Sequence, residues 1–256
     1  MTQSPKAPGP EVAKAERKTS LAKRFYKDVA IKDEGEGVAL QLDGKPVRTP
    51  GKAPLVLPTR ALAEAIAGEW RAQGERIDPT TMPLTKLANS AIDGVSGREL
   101  GVIDDILAFA GADLLCYRAH GPRGLTEAQE TQWDPVLAWA KDALGAPLVR
   151  SQGIVHVAQT AASLDRIKET LAGSDAFSLA ALHVMTSLTG SALLALAVAL
   201  GRMTPEAAWS AAHVDEDWQI SQWGEDAEAA ARRKNRWRDF EAAARMLSLA
   251  RVRPRR

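Results

Sequence analysis

Hydrophobic and polar positions in the first quarter of the chain alternate as they do in half-buried strands. Residues 25–31, 38–42, 45–48 and 55–57 read as four short strands, separated by Gly35, Gly37 and the pair Asp43 and Gly44. Asp and Gly both tolerate positive φ, so Asp43 and Gly44 predict a type I′ hairpin turn and an antiparallel meander around it. After Pro58 the period becomes helical. Thr59 is placed to cap a helix with Leu62, Ile66 and Trp70 along its apolar side, and Gly74 is expected to end it. A second helix runs through Leu87, Ala91 and Ile92.

Beyond Gly97 almost every window has helical spacing. Helices are predicted over 99–109, 134–144, 161–171, 177–189, 191–200, 205–223 and 225–249, and a short strand over 154–157. Asp134 and Pro135 read as an N-cap followed by proline at the first helical position, where a missing N–H costs nothing. In the helix predicted over 205–223, Trp209, His213, Glu216, Ile220 and Trp223 fall on a single face. The fold class expected is α+β, a small N-terminal antiparallel β-rich domain followed by a larger, mainly α-helical domain. The expected division is a disordered tail over 1–20, the β-rich domain with its connecting helix over 21–75, the helical domain over 76–250 and a basic tail over 251–256.

Composition narrows the function classes. The chain has 256 residues, 45% of them hydrophobic, and a formal charge of +1, so the whole molecule is not steered toward nucleic acid or acidic lipid. Its longest apolar run, 192–200, is far short of the roughly 20 residues a spanning helix needs, and no membrane partner is expected. Residues 1–20 carry no apolar stretch of the secretory type, and Glu11 and Glu16 argue against a mitochondrial presequence; a bacterial cytoplasm is the expected compartment. The single cysteine, Cys116, sits in an apolar setting and reads as structural.

Catalytic constellations are sparse. There is no P-loop, no GxSxG elbow, no dinucleotide fingerprint and no Cys-rich zinc spacing. His213 and Glu216 stand one helical turn apart, a spacing that can hold two ligands of one metal, but no second such pair accompanies them. A small metal-dependent or acid–base enzyme working from that helix face is therefore the alternative function. The basic residues Arg251, Arg253, Arg255 and Arg256 could touch phosphates, yet nothing around them resembles a nucleic-acid module. Between Asp215 and Glu228 every ionised residue is acidic, and Trp218 and Trp223 lie within that run. A buried, unpaired carboxylate is costly, so Glu216 either meets an internal partner or marks a working surface. Of the other tryptophans, Trp70, Trp133, Trp139, Trp209 and Trp237 suit core packing.

Four ordered stretches together resemble the ATP12-type assembly chaperones of the F1 sector of ATP synthase. They are 42–50 with 57–59; 69–78 with 81–85 and Asn89; 113–118 with Gln129, Trp133, Asp134, Pro135 and Trp139; and 216–224, which reads EDWQISQWG. The resemblance implies a binding protein without turnover, without a cofactor and without a metal, whose partner is the free α subunit of F1, held transiently and protected from aggregation until it pairs with β. It implies that Glu216 is the functionally important acid, with Asp217 the next choice. Asp217, Trp218, Gln219 and Trp223 complete the expected partner-binding set with Glu216, while Trp70, Trp133 and Asp134 are expected to be structural. A monomer is expected.

Overall fold

The computed structural model describes residues 21–251. The tail expected over 1–20 and all but the first residue of the basic tail lie outside the described residues.

The N-terminal sheet forms as an antiparallel meander. Strand β1 (Val29–Glu34) pairs along its full length with β2 (Gly37–Leu42), from Val29 opposite Leu42 to Glu34 opposite Gly37. β2 also receives β3 (Lys45–Pro46) and β4 (Val56–Leu57). Asp43 and Gly44 join β2 to β3 with φ of 48° and 75°, the signs a type I′ turn requires. The first strand begins four residues later than the apolar pattern suggests. Phe25 is 72% exposed and stacks edge-on against Tyr26, so the aromatic pair lies outside the ladder. The third strand is only two residues long, although the Val47 N–H still donates to the Leu40 carbonyl over 2.8 Å.

Helix α1 (Arg60–Arg71) starts where Thr59 accepts a hydrogen bond from the Leu62 N–H, and ends at Arg71, ahead of Gly74. It lays Leu62, Ala63, Ile66 and Ala67 against Leu40 and Leu57 of the sheet, all fully buried. Helix α2 (Pro83–Ser90) follows and runs into a π-helical turn, Ala91–Val95. Glu69 of α1 caps the start of α2, accepting from the N–H groups of Leu84 and Thr85. The rest is helical: α3 (Glu99–Gly111), α4 (Arg123–Leu144), α5 (Ala161–Leu171), α6 (Ala176–Thr189), α7 (Ala192–Ala199), α8 (Pro205–Ala212), α9 (Val214–Trp223) and α10 (Ala227–Ala250). Two two-residue strands, β5 (Tyr117–Arg118) and β6 (Ser151–Gln152), pair in parallel beside α4. One hydrophobic core runs from Val38 and Leu40 through α6 and α7 to Leu247 and Ala250 of α10. No helix among the described residues is long and apolar enough to cross a membrane.

Three expectations about helices and strands need correction. Residues 205–223 form two helices, because His213, with φ −118° and ψ 20°, breaks the run. Trp209 and His213 belong to the interior, whereas Trp223, on the second helix, is 79% exposed. Asp134 does not cap a helix: α4 starts eleven residues earlier and Pro135 lies inside it, on the exposed side. The Asp134 carboxylate instead bridges Arg118 and Arg150, at 2.6 and 3.1 Å. Residues 154–157 form no strand; the pairing occurs just before them, at β6.

Helix ends in the interior are closed by side chains of other elements. Trp133, 1% exposed, donates its indole N–H to the Ala211 carbonyl at the end of α8 over 2.7 Å. Thr59 donates to the Leu249 carbonyl of α10, and Arg236 to the Leu188 carbonyl of α6, both over 2.6 Å. These carbonyls belong to the last turns, where no intrahelical donor exists. Asp113 does the converse, accepting from the Leu193 N–H at the start of α7 and the Leu115 N–H. Trp70 serves the junction of sheet and helices differently. Its ring packs edge-on against Tyr26 at 5.5 Å, and its carbonyl accepts the Tyr26 hydroxyl. Cys116 is buried with its thiol pushed up to about 12, chiefly by burial and then by Asp113, which makes it unreactive.

Two outcomes test this account. Trp133→Phe keeps most of the ring but leaves the Ala211 carbonyl without a donor, and urea denaturation should register a loss of roughly 1–2 kcal/mol. Burial raises Asp113 to about 6, with the hydrogen bonds from Ser191 and the Leu193 N–H opposing it. The folded chain thus keeps a proton that the unfolded chain has released. Its stabilising contribution is complete below the ordinary aspartate range and is lost as pH rises through about 6. Comparing unfolding free energies from urea titrations across that window, wild type should fall by on the order of 3 kcal/mol relative to Asp113→Asn, which cannot titrate.

Candidate partner-binding face

Helix α9 carries the acidic run, and its position is set from two sides. Asp215, Glu216 and Asp217 occupy its first turn, where the helix dipole favours negative charge. On one side α4 holds it at successive points. Trp133 donates its indole N–H to the Ala211 carbonyl just before the break, and buried Gln129 donates to Asp215 over 2.7 Å while accepting the Ala119 N–H. Further along, Gly124 leaves room for the ring of Trp218. A Cβ at position 124 would lie 2.3 Å from the tip of the indole, so only glycine lets the ring settle there. On the other side Asp217 binds the guanidinium of Arg233 on α10.

The three neighbouring acids therefore have different fates. Asp215 is engaged by Gln129 and Asp217 by Arg233. Glu216 is different: no donor among the described residues hydrogen-bonds its carboxylate, and its side chain is 37% exposed. Its nearest ionisable neighbour is His213, whose Nε2 lies 3.9 Å from Oε2. His213 does not supply a charge there. Its Nδ1 donates to the Trp209 carbonyl over 2.7 Å, and burial first of all holds its pKa below the ordinary histidine range. With Nδ1 carrying the proton, Nε2 faces Glu216 as a second acceptor.

His213 and Glu216 open on a cavity of about 380 Å³ bounded by Trp133, Leu188 and Arg236. Behind it Trp209, Trp237 and Phe240 form an aromatic cluster, with ring centroids 5.3–5.9 Å apart and Arg236 over Trp209. From Glu216 the same side of α9 continues through half-buried Ile220 to exposed Trp223 at the corner before α10, and Gln219 is exposed beside it. The metal pairing weighed from the sequence is not extended by any neighbour: no group of three or more His, Cys, Asp or Glu side chains among the described residues could hold an ion. A larger groove of about 650 Å³, lined by Trp70, Met82, Thr85 and Asn89, is mostly apolar. The acid at its edge, Asp93, is occupied by the Thr49 hydroxyl and the Gly51 N–H.

Comparison with known proteins decides the family. The chain superposes on the Atp12 structure from Paracoccus denitrificans with a TM-score of 0.85 and 43% sequence identity, covering 90% of this chain and 99% of that one. The chain belongs to the ATP12 chaperone family. The family profile described as ATP12 chaperone protein matches residues 23–141. The Agrobacterium tumefaciens protein Atu1473 is similar over 96% of this chain and 92% of its own, with 47% identity and a TM-score of 0.88. Protein atp12, mitochondrial, of Schizosaccharomyces pombe is 27% identical over 215 residues, 79% of this chain and 74% of its own length. The family profile ends within α4. The ATP12-like region it covers thus includes the sheet, Trp70, Trp133 and Asp134, while likeness over the acidic α9 rests on the whole-chain relatives.

Sequence reading identified Glu216, Asp217, Trp218, Gln219 and Trp223 as neighbours on a helix, and the structure places all five on α9. It missed Gly124 and Arg233, which fix that helix. A glycine in the first turn of a long helix was the available signal for Gly124. Its role can be measured. Gly124→Val should unseat Trp218, speed amide hydrogen exchange across 214–223 and cost roughly 1–2 kcal/mol of stability; unchanged exchange there would show that the seat does not hold α9.

Proposed function

We propose that this chain is an assembly holdase that binds the free α subunit of F1 and keeps it from aggregating until it pairs with β, without nucleotide turnover or catalysis. It acts as a monomer in a bacterial cytoplasm and holds its client transiently. The observation that carries this reading is the half-buried carboxylate of Glu216, which accepts no hydrogen bond among the described residues and lies on the same side of α9 as the exposed indole of Trp223. Membership of a chaperone family gives the class, and the relatives named Atp12 point to ATP synthase as the assembly.

The physical argument follows from what a holdase must do. An unassembled subunit exposes an apolar interface that promotes aggregation. A protein that covers it reversibly needs aromatic anchors for area and charges for orientation and association rate. Trp223 and Ile220 supply the first. Glu216 supplies the second, pairing with a basic group of the client. Gln219 adds a hydrogen-bonding rim. Asp217 and Trp218 are engaged by Arg233 and Gly124, so in this reading their contribution is to hold α9 in position under the contact.

The test is light scattering of isolated F1 α subunit with stoichiometric chaperone and no nucleotide. Wild type should suppress aggregation, and added β subunit should relieve it. Glu216→Lys and Trp223→Ala should each need roughly tenfold more protein for the same suppression, with melting temperatures near wild type. Full activity in Glu216→Gln would rule out pairing through its charge.

A further inference from the structure

The cavity beside α9 holds a feature that the charge of Glu216 alone does not use. Two acceptors line it, Glu216 Oε2 and His213 Nε2, 3.9 Å apart, and no donor among the described residues hydrogen-bonds either of them. Nε2 is an acceptor because Nδ1 is committed. The Trp209 carbonyl can only accept, so the proton of the neutral ring sits on Nδ1. Turning the ring over would break that bond, and the ring also lies on Trp209 with centroids 4.1 Å apart. His213 is only 5% exposed, and a buried acceptor without a donor is costly.

The charges around the cavity select what can enter. Asp215, Glu216 and Arg236 line it, and beside them Asp217 and Arg233 neutralise each other, so with a neutral His213 one negative charge is left over. Arg236 does not cancel Glu216 directly. No ion pair joins the two among the described residues, and the guanidinium donates to the Leu188 carbonyl and lies over Trp209. A metal ion does not fit, because no third His, Cys, Asp or Glu side chain completes a ligand set with the pair. An N–H donor carrying one positive charge does fit. Leu114, Trp133 and Leu188 give the cavity an apolar wall, along which the methylene stem of a lysine or arginine can lie while its head reaches the acceptors.

We propose that one basic side chain of the client enters this cavity and donates to both Glu216 and the unprotonated Nε2 of His213, which makes His213 a specificity-determining residue of the site. The proposal rests on the holdase reading above. It adds a condition that the charge of Glu216 does not impose: the acceptor pair is complete only while His213 is neutral. Protonation turns Nε2 into a donor beside Glu216, so the chain's own imidazolium takes the place of the client's cation. Burial lowers the His213 pKa most, and Arg233 and Arg236 of α10 lower it further, against the Trp209 carbonyl and Glu216, which raise it; the result lies below the ordinary histidine range. The pair is therefore complete at neutral pH and is lost as pH falls through that lowered value.

Two substitutions separate the two ring nitrogens. His213→Asn keeps an amide N–H near the position of Nδ1 and leaves Nε2 without a counterpart, whereas His213→Gln places an oxygen near Nε2 that gains no proton. Binding to immobilised F1 α subunit is measured from about pH 8 to 5 for wild type, both variants and Glu216→Lys, with melting curves in parallel. At neutral pH His213→Asn should bind roughly tenfold more weakly than wild type, and His213→Gln should recover part of that loss. Wild type should weaken several-fold towards the acid end and His213→Gln markedly less, any acid effect on the α subunit itself being common to both. A wild-type affinity that stays constant across the window would overturn the proposal with no variant involved. Wild-type-like binding by His213→Asn, or an acid loss in His213→Gln equal to that of wild type, would also overturn it, and with Glu216→Lys weakened either result leaves the holdase reading standing. Failure of wild type to bind α at any pH would remove both readings.

Discussion

The indole of Trp133 donating to the Ala211 carbonyl is the contact on which the rest of the candidate face depends. That carbonyl ends α8, and a buried carbonyl without a donor costs about 1–3 kcal/mol. Because a tryptophan from α4 supplies the donor, the chain can stop one helix and begin another at His213. The break separates two environments that a continuous helix would have joined. Trp209 and His213 turn into the aromatic cluster, and the acids of α9 start a new helix at the surface. Gln129 and Gly124 then hold α9 along the same supporting helix.

The elements that were legible in the sequence are those fixed by local chemistry. Asp43 and Gly44 dictate their turn by the φ values they tolerate. Thr59 caps α1 through a side chain three residues from its partner. The span of α5, 161–171, follows from periodicity alone. What could not be read depends on partners distant in sequence. The break at His213 reflects Trp133, nearly eighty positions away. Asp134 has the residue types of an N-cap, but Arg118 and Arg150 claim its carboxylate and the helix runs through Pro135. The β-branched run at 154–157 has strand propensity without a strand beside it, so propensity failed there for lack of a partner.

The candidate site was legible in a similar measure. The acid-and-tryptophan run was visible, and so was the question of whether Glu216 is buried and paired. Only the three-dimensional arrangement distinguishes the acids, because Gln129 and Arg233 choose Asp215 and Asp217 and leave Glu216. The same arrangement separates two tryptophans that looked equivalent. Trp218 is seated on Gly124, and Trp223 stands in solvent. In the proposed client-binding face, the supporting contacts are made by Asp215, Asp217 and Trp218, and the side chains of Glu216 and Trp223 are left without a hydrogen-bonding partner among the described residues.

The most direct measurement of that claim is hydrogen–deuterium exchange of the chaperone with and without bound F1 α subunit. The account predicts slowed exchange across α9 and the corner that carries Trp223, with the groove beside Trp70 unchanged. Protection confined to the Trp70 groove, with α9 exchanging as in the isolated chain, would contradict it.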